Sequence, residues 1–132
     1  MEFTSAAKAG TESMDPSGAV LHGIGASPGV ACGTARTVHS LDQFSAVMPG
    51  DVLVCRTTDP AWTPLFGMVA AVITETGGVL SHAAIVAREH GIPAVLGIRD
   101  ALTRISTGTT LTVDGTHGTV HEKPAGPGAG PR

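Results

Sequence analysis

The sequence predicts an α/β fold, a mixed central sheet with flanking helices, from three observations. Short apolar-alternating runs bounded by Gly and Pro recur along the middle of the 132-residue chain, as half-buried strands require. One stretch, "SHAAIVAREHG" (81–91), carries helix signals at both ends. The composition is aliphatic and glycine-rich, with only 3% aromatic and 14% charged residues. Such a core is closely packed and strand-rich, because Val, Ile and Thr fit a pleated surface.

The elements follow in order. Residues 20–24 and Val30–Val38 read as strands around a "GASPG" turn. "DVLVC" (51–55), after Pro49-Gly50, is a buried strand. In "TTDPAWTPLF" a helix near 59–67 is capped by Thr58 or Asp59, with Pro60 at its first position, where a missing N–H costs nothing. "MVAAVITE" (68–75) is a continuous apolar run, the mark of a strand covered on both faces. Ser81 caps a helix over 82–90, Arg88 and His90 suit its last turn, and Gly91 ends it. Pro93 bars continuation, and "PAVLGI" is a further strand. "DALTRI" is one helical turn capped by Asp100, and "TTLTVD" with "GTVHE" closes the chain as a hairpin.

Residues 1–17 lack sustained apolar periodicity and read as a disordered lead, neither signal peptide nor membrane anchor. Residues 123–132, "KPAGPGAGPR", read as a disordered Pro/Gly tail. The folded body is expected over 18–122. A net charge of −3 without a basic cluster gives no footprint for nucleic acid or anionic membranes. Cys32 and Cys55 lack CxxC spacing, which makes a reducing, cytoplasmic compartment the expectation. The six histidines show no metal-ligand spacing, so no metal site is expected in the domain.

One segment carries chemistry. His82 stands where a helix begins, directly after Ser81 and close behind Gly77-Gly78. Amide N–H groups at a helix start lack intrahelical partners, and the positive potential there favours the uncharged, nucleophilic ring. The same groups favour a phosphate once one is attached. Gly77 and Gly78 let backbone approach that phosphate closely, and Ser81 and Thr76 add hydroxyls. Taken by itself, the segment also reads as an ordinary strand-to-helix turn with a solvated histidine. Arg88 lies six residues past His82, about 240° around a helix, and reads as a helix-end or interface residue. Trp62, Leu65 and Phe66 read first as core and second as a docking patch.

"TGGVLSHAAIVAREHGIPAVLG" resembles the signature of the mobile phosphohistidine (swivelling) domain of phosphoenolpyruvate-utilising enzymes. The resemblance rests on Gly77, Gly78, Ser81, His82, Ala83, Ala87, Arg88, Gly91, Ile92, Pro93, Ala94, Val95 and Gly97, and the flanking segments extend it over about 20–122. It implies a compact β/β/α swivelling domain. It also implies that His82 accepts phosphate through Nε2 from phosphoenolpyruvate or ATP and passes it on, with Thr63 orienting the ring and Ser81 beside it. The family's enzymes add an ATP-grasp nucleotide-binding domain and a phosphoenolpyruvate-binding barrel that holds Mg²⁺. This chain has no P-loop and too few residues for either, so the resemblance implies a carrier that works beside such partners, in the same or another chain, with Mg²⁺ supplied by them. Two other readings stay open: a docking or regulatory module that carries no phosphate, and a fragment of a longer enzyme.

Overall fold

The apolar runs of the middle chain become an eight-stranded sheet in the computed structural model, which describes residues 20–123. The expected lead over 1–17 and the tail beyond Lys123 lie outside these residues. Lys123 itself, placed by its composition in the tail, donates its amide to Thr110 O at 2.9 Å.

The strands are β1 (Val20–His22), β2 (Ile24–Ser27), β3 (Val30–Val38), β4 (Val52–Cys55), β5 (Ala71–Thr74), β6 (Ala94–Leu96), β7 (Thr110–Asp114) and β8 (Thr119–Glu122). Their order in the sheet is β1-β8-β7-β3-β4-β5-β6-β2. The long β3 joins two halves: residues 30–34 pair antiparallel with β7, and residues 35–38 pair parallel with β4. Strands β4, β5 and β6 continue in parallel. Parallel neighbours need crossovers. These are a 3₁₀ segment at Leu41–Ala46, a second at Pro60–Gly67, and the helix α1 at His82–His90. A short α2 (Ala101–Arg104) follows β6.

The two outermost strands of the sheet, β1 and β2, are consecutive in the chain and separated by Gly23 alone. The sheet therefore curls until its ends meet. Gly23 donates its amide to Gly118 O at 2.9 Å, and a β-carbon there would stand 2.5 Å from Leu96 O. Only glycine fits so close a crossing.

Alternation along β4, β5 and β6 divides two cores, as a period of two requires. Leu53, Cys55, Val72, Ala94 and Leu96 face α1 and the 3₁₀ segments, with Trp62, Leu65, Phe66, Ala84 and Ala87. Val52, Val54, Ala71, Ile73 and Val95 face the other way, among Leu111, Val113, Val120 and Ala101 of α2. Both faces are covered, which is why these strands read as unbroken apolar runs.

Four expectations need correction. The turn expected over "GASPG" is narrower: pairing with β6 carries the strand through Ser27 and leaves only Pro28-Gly29 as the turn. The helix expected near 59–67 is 3₁₀; in an α-helical turn the ring of the interior Pro64 would clash with the carbonyl four residues back, at Pro60. The strand expected over 68–75 starts only at Ala71, because the amides of Met68 and Val69 still bond Leu65 O. Asp100 precedes α2 but makes no side-chain cap; Glu75 supplies one, accepting from Leu102 N at 2.9 Å. The 3₁₀ segment at Leu41–Ala46 had no counterpart in the sequence reading.

Candidate functional site

Strands β4 and β5 run parallel in register, with Cys55 opposite Thr74, so their carboxyl ends finish side by side. The chain leaves β4 through Arg56-Thr57-Thr58 and β5 through Glu75-Thr76-Gly77. The two exits are bonded together: Arg56 O accepts from Glu75 N and Thr76 N, both at 3.1 Å, and from Thr76 Oγ1 at 3.2 Å. One exit enters the 3₁₀ segment, which Asp59 caps by accepting from Ala61 N at 2.9 Å. The other enters α1, with Ser81 as its cap. Ser81 Oγ accepts from Ala84 N at 3.4 Å, which satisfies one of the orphan amides of the first turn.

His82 is the first residue of α1, and its ring is half-buried between the two exits. Nδ1 lies 2.8 Å from Thr58 Oγ1, and Nε2 lies 3.4 Å from Thr63 Oγ1. Phe66, fully buried, presents itself edge-on to the imidazole with centroids 6.1 Å apart and planes at 90°. Trp62 and Leu65 are core residues, and Trp62 packs edge-to-face on Phe44 at 5.1 Å. The ring is therefore fixed by a hydroxyl at Nδ1 and by an aromatic edge, with a longer contact at Nε2.

The structure brings Thr63, Ser81 and His82 together. Gly77, at φ +107, makes the turn toward the helix start in a conformation that disfavours any β-carbon. A side chain there would also press on Ser81 Oγ at 3.1 Å. Gly78 O accepts from Ser81 N at 2.9 Å, and nothing stands within 4 Å of where its β-carbon would be. Thr76 is different: its hydroxyl and amide both bond Arg56 O, so it anchors the loop.

Two residues beside the site escaped the sequence reading. Thr58, left there as an alternative helix cap, bonds the ring while Asp59 does the capping. Its signal was no more than a Thr-Thr-Asp run ahead of Pro60. Arg88, assigned to a helix end, reaches back to Val79 O at 2.7 Å. Among the described residues no three His, Cys, Asp or Glu side chains group as a metal ion would require. His90 bonds Val86 O and His117 bonds Asp114. No helix among them is long and apolar enough to cross a membrane.

Comparisons with known proteins bear on the family and the fold. Residues 47–118 match the family model of the PEP-utilising enzyme, mobile domain. The chain is 53% identical over 100 residues to an uncharacterized phosphotransferase, YvkC, of Bacillus subtilis, covering 76% of this chain and 12% of that protein. It is 46% identical over 117 residues to the phosphoenolpyruvate synthase of Aeropyrum pernix, covering 87% of this chain and 14% of that one. The chain thus spans a small part of the length of these relatives. Among solved structures it resembles Enzyme I, with a TM-score of 0.53 and 34% identity, over 61% of this chain and 33% of the other. A family match over more than half of the chain, on a mixed-sheet α/β fold with His82 at a helix start, leads to one conclusion: the chain belongs to the mobile-domain family of PEP-utilising enzymes.

Proposed function

We propose that this domain is a phosphoryl carrier and that His82 is its acceptor. The observation that carries the reading is the 2.8 Å contact of Thr58 with Nδ1, at the first residue of α1. With the proton on Nδ1 donated to Thr58 Oγ1, the lone pair lies on Nε2. Nε2 attacks the phosphorus of a donor in line, the donor's bond to phosphorus breaks, and an N–P bond forms. Amides at the helix start and in the turn at 77–78 then face the new negative charge, together with the Ser81 hydroxyl. In a second transfer the N–P bond breaks as another acceptor attacks.

The donor in this reading is phosphoenolpyruvate or ATP. The partners are a phosphoenolpyruvate-binding barrel, an ATP-grasp domain, or both, in the cytoplasm. Mg²⁺ belongs to those partner sites, where it neutralises charge on the transferring group.

The acceptor role is tested without a partner. Phosphoramidate, a small donor that releases ammonia, should phosphorylate the chain at His82 as an acid-labile, base-stable adduct mapped by mass spectrometry. His82→Ala should fold normally and lose that adduct. Equal acid-labile labelling of the His82→Ala chain sinks the assignment. Labelling by phosphoenolpyruvate and Mg²⁺ only when a relative's barrel is added supports the carrier role; a wild-type chain that stays unlabelled throughout is a docking module.

A further inference from the structure

Arg88 sits in the last turn of α1, away from the ring in helical phase, yet its side chain runs back along the helix as α-carbon to β-carbon directions dictate. Nη2 donates to Val79 O at 2.7 Å, and Nη1 donates to Ala26 O, near the end of β2, also at 2.7 Å. Both are short, charge-assisted bonds from one planar fork. The segment they reach has little else to hold it. Residues 77–80 include two glycines, and Val79 and Leu80 are exposed, Leu80 by 82%. Their other hydrogen bond among the described residues is the local one from Ser81 N to Gly78 O. The tie from this turn to a distant part of the chain is therefore the guanidinium of Arg88.

We infer that Arg88 is a positioning residue for the acceptor site: it clamps the turn at 77–80 against α1 and the β2 end. It thereby holds in one shape the backbone through which a phosphoryl group reaches His82. The inference rests on the acceptor reading. Thr58 fixes the ring, and Arg88 fixes the other wall. A loosened wall leaves the ring in place but scatters the amides meant to meet the phosphate, and misplacement by an ångström costs up to about a hundredfold in rate.

The test uses the whole chain and phosphoramidate, with phosphorylation of His82 followed by ³¹P NMR and the backbone by amide NMR. Arg88→Ala should slow labelling by about tenfold to a hundredfold and move the amide resonances of residues 77–80. Added guanidinium ion should restore both. Arg88→Lys, which reaches one carbonyl instead of two, should fall between, and it carries the test should the alanine variant fail to fold. Labelling at the wild-type rate overturns the clamp, as does slower labelling with the 77–80 amides unmoved and no rescue by guanidinium. A wild-type chain that never labels at His82 overturns the acceptor reading itself, so the two failures are distinguishable.

Discussion

Replacing Thr58 by valine removes one hydroxyl and little else, because the two side chains are nearly isosteric. Thr58 is buried, so the substitution keeps its packing, but it leaves Nδ1 of His82 without its partner at 2.8 Å. Stranding a buried polar group costs about 1–3 kcal/mol. The ring is half-buried and water reaches part of it, so the lower part of that range applies, about 1–2 kcal/mol. In the acceptor reading this cost falls on the ring pose and tautomer that present Nε2. At about 1.4 kcal/mol per tenfold, labelling by phosphoramidate should slow by about fivefold to thirtyfold. Thr58→Ser restores the hydroxyl and should recover most of the rate. Ring ¹⁵N shifts supply the second readout: wild type and Thr58→Ser should show the proton on Nδ1, and Thr58→Val a mixture. A valine variant as fast as wild type, or a serine variant as slow as valine, refutes the assignment of Thr58.

Thr63→Val should slow the same reaction by no more than about twofold, since 3.4 Å is at the outer limit of a hydrogen bond; a larger loss than that of Thr58→Val would reverse their roles. Phe66→Ala removes a fully buried ring from the core beside His82 and should cost about 3–5 kcal/mol in urea unfolding. A loss below about 1 kcal/mol would contradict the packing. Burial, with the Glu75 carboxylate adding to it, pushes the Cys55 thiol up to about 12. At pH 8 iodoacetamide should therefore modify the exposed Cys32 and spare Cys55 until the chain is unfolded. Two equivalents taken up by the native protein would refute this. Hydrogen bonds from the His117 side chain and backbone hold the Asp114 carboxyl below its ordinary value. A lowered folded-state value means stabilisation that is present above the unfolded carboxylate range and lost as pH falls through that lowered value. The Tm gap between wild type and Asp114→Asn should be open at pH 6 and close on acidification; a gap indifferent to pH would dismiss the linkage.

Local signals located most strands and the long helix well, because each leaves a mark on adjacent residues. Ser81 and Gly91 bracket α1 as cap and left-handed stop, and the sequence places both. The apolar runs of β4 and β5 announce strands covered on both faces. What stayed hidden depends on distant partners. The strand through Ile24–Ser27 looks like a turn because Gly25, Pro28 and Gly29 favour one, and only pairing with β6 extends it. Thr58 and Thr57 are the same residue type side by side, and nothing local says which faces the ring. Arg88 was judged by its helical phase, which locates the α-carbon but not the end of a long side chain.

The placement of His82 follows from sheet register more than from the motif around it. Cys55 and Thr74 are partners on adjacent parallel strands, and each strand releases the chain at the same height. Three residues past Cys55 stands Thr58, and three past Thr74 stands Gly77, so both walls of the site leave the sheet together. Ligand sites in parallel sheets gather at the carboxyl ends of strands for this reason. A slip of one residue in β4 would turn Leu53 and Cys55 away from the helix-side core and exchange them with Val52 and Val54. The buried apolar residues of β4 thus hold Thr58 against Nδ1 from the opposite direction to α1. In the proposed carrier role, a ring fixed at the start of α1 and bonded to the exit of β4 would be presented to different partners with its own surroundings unchanged.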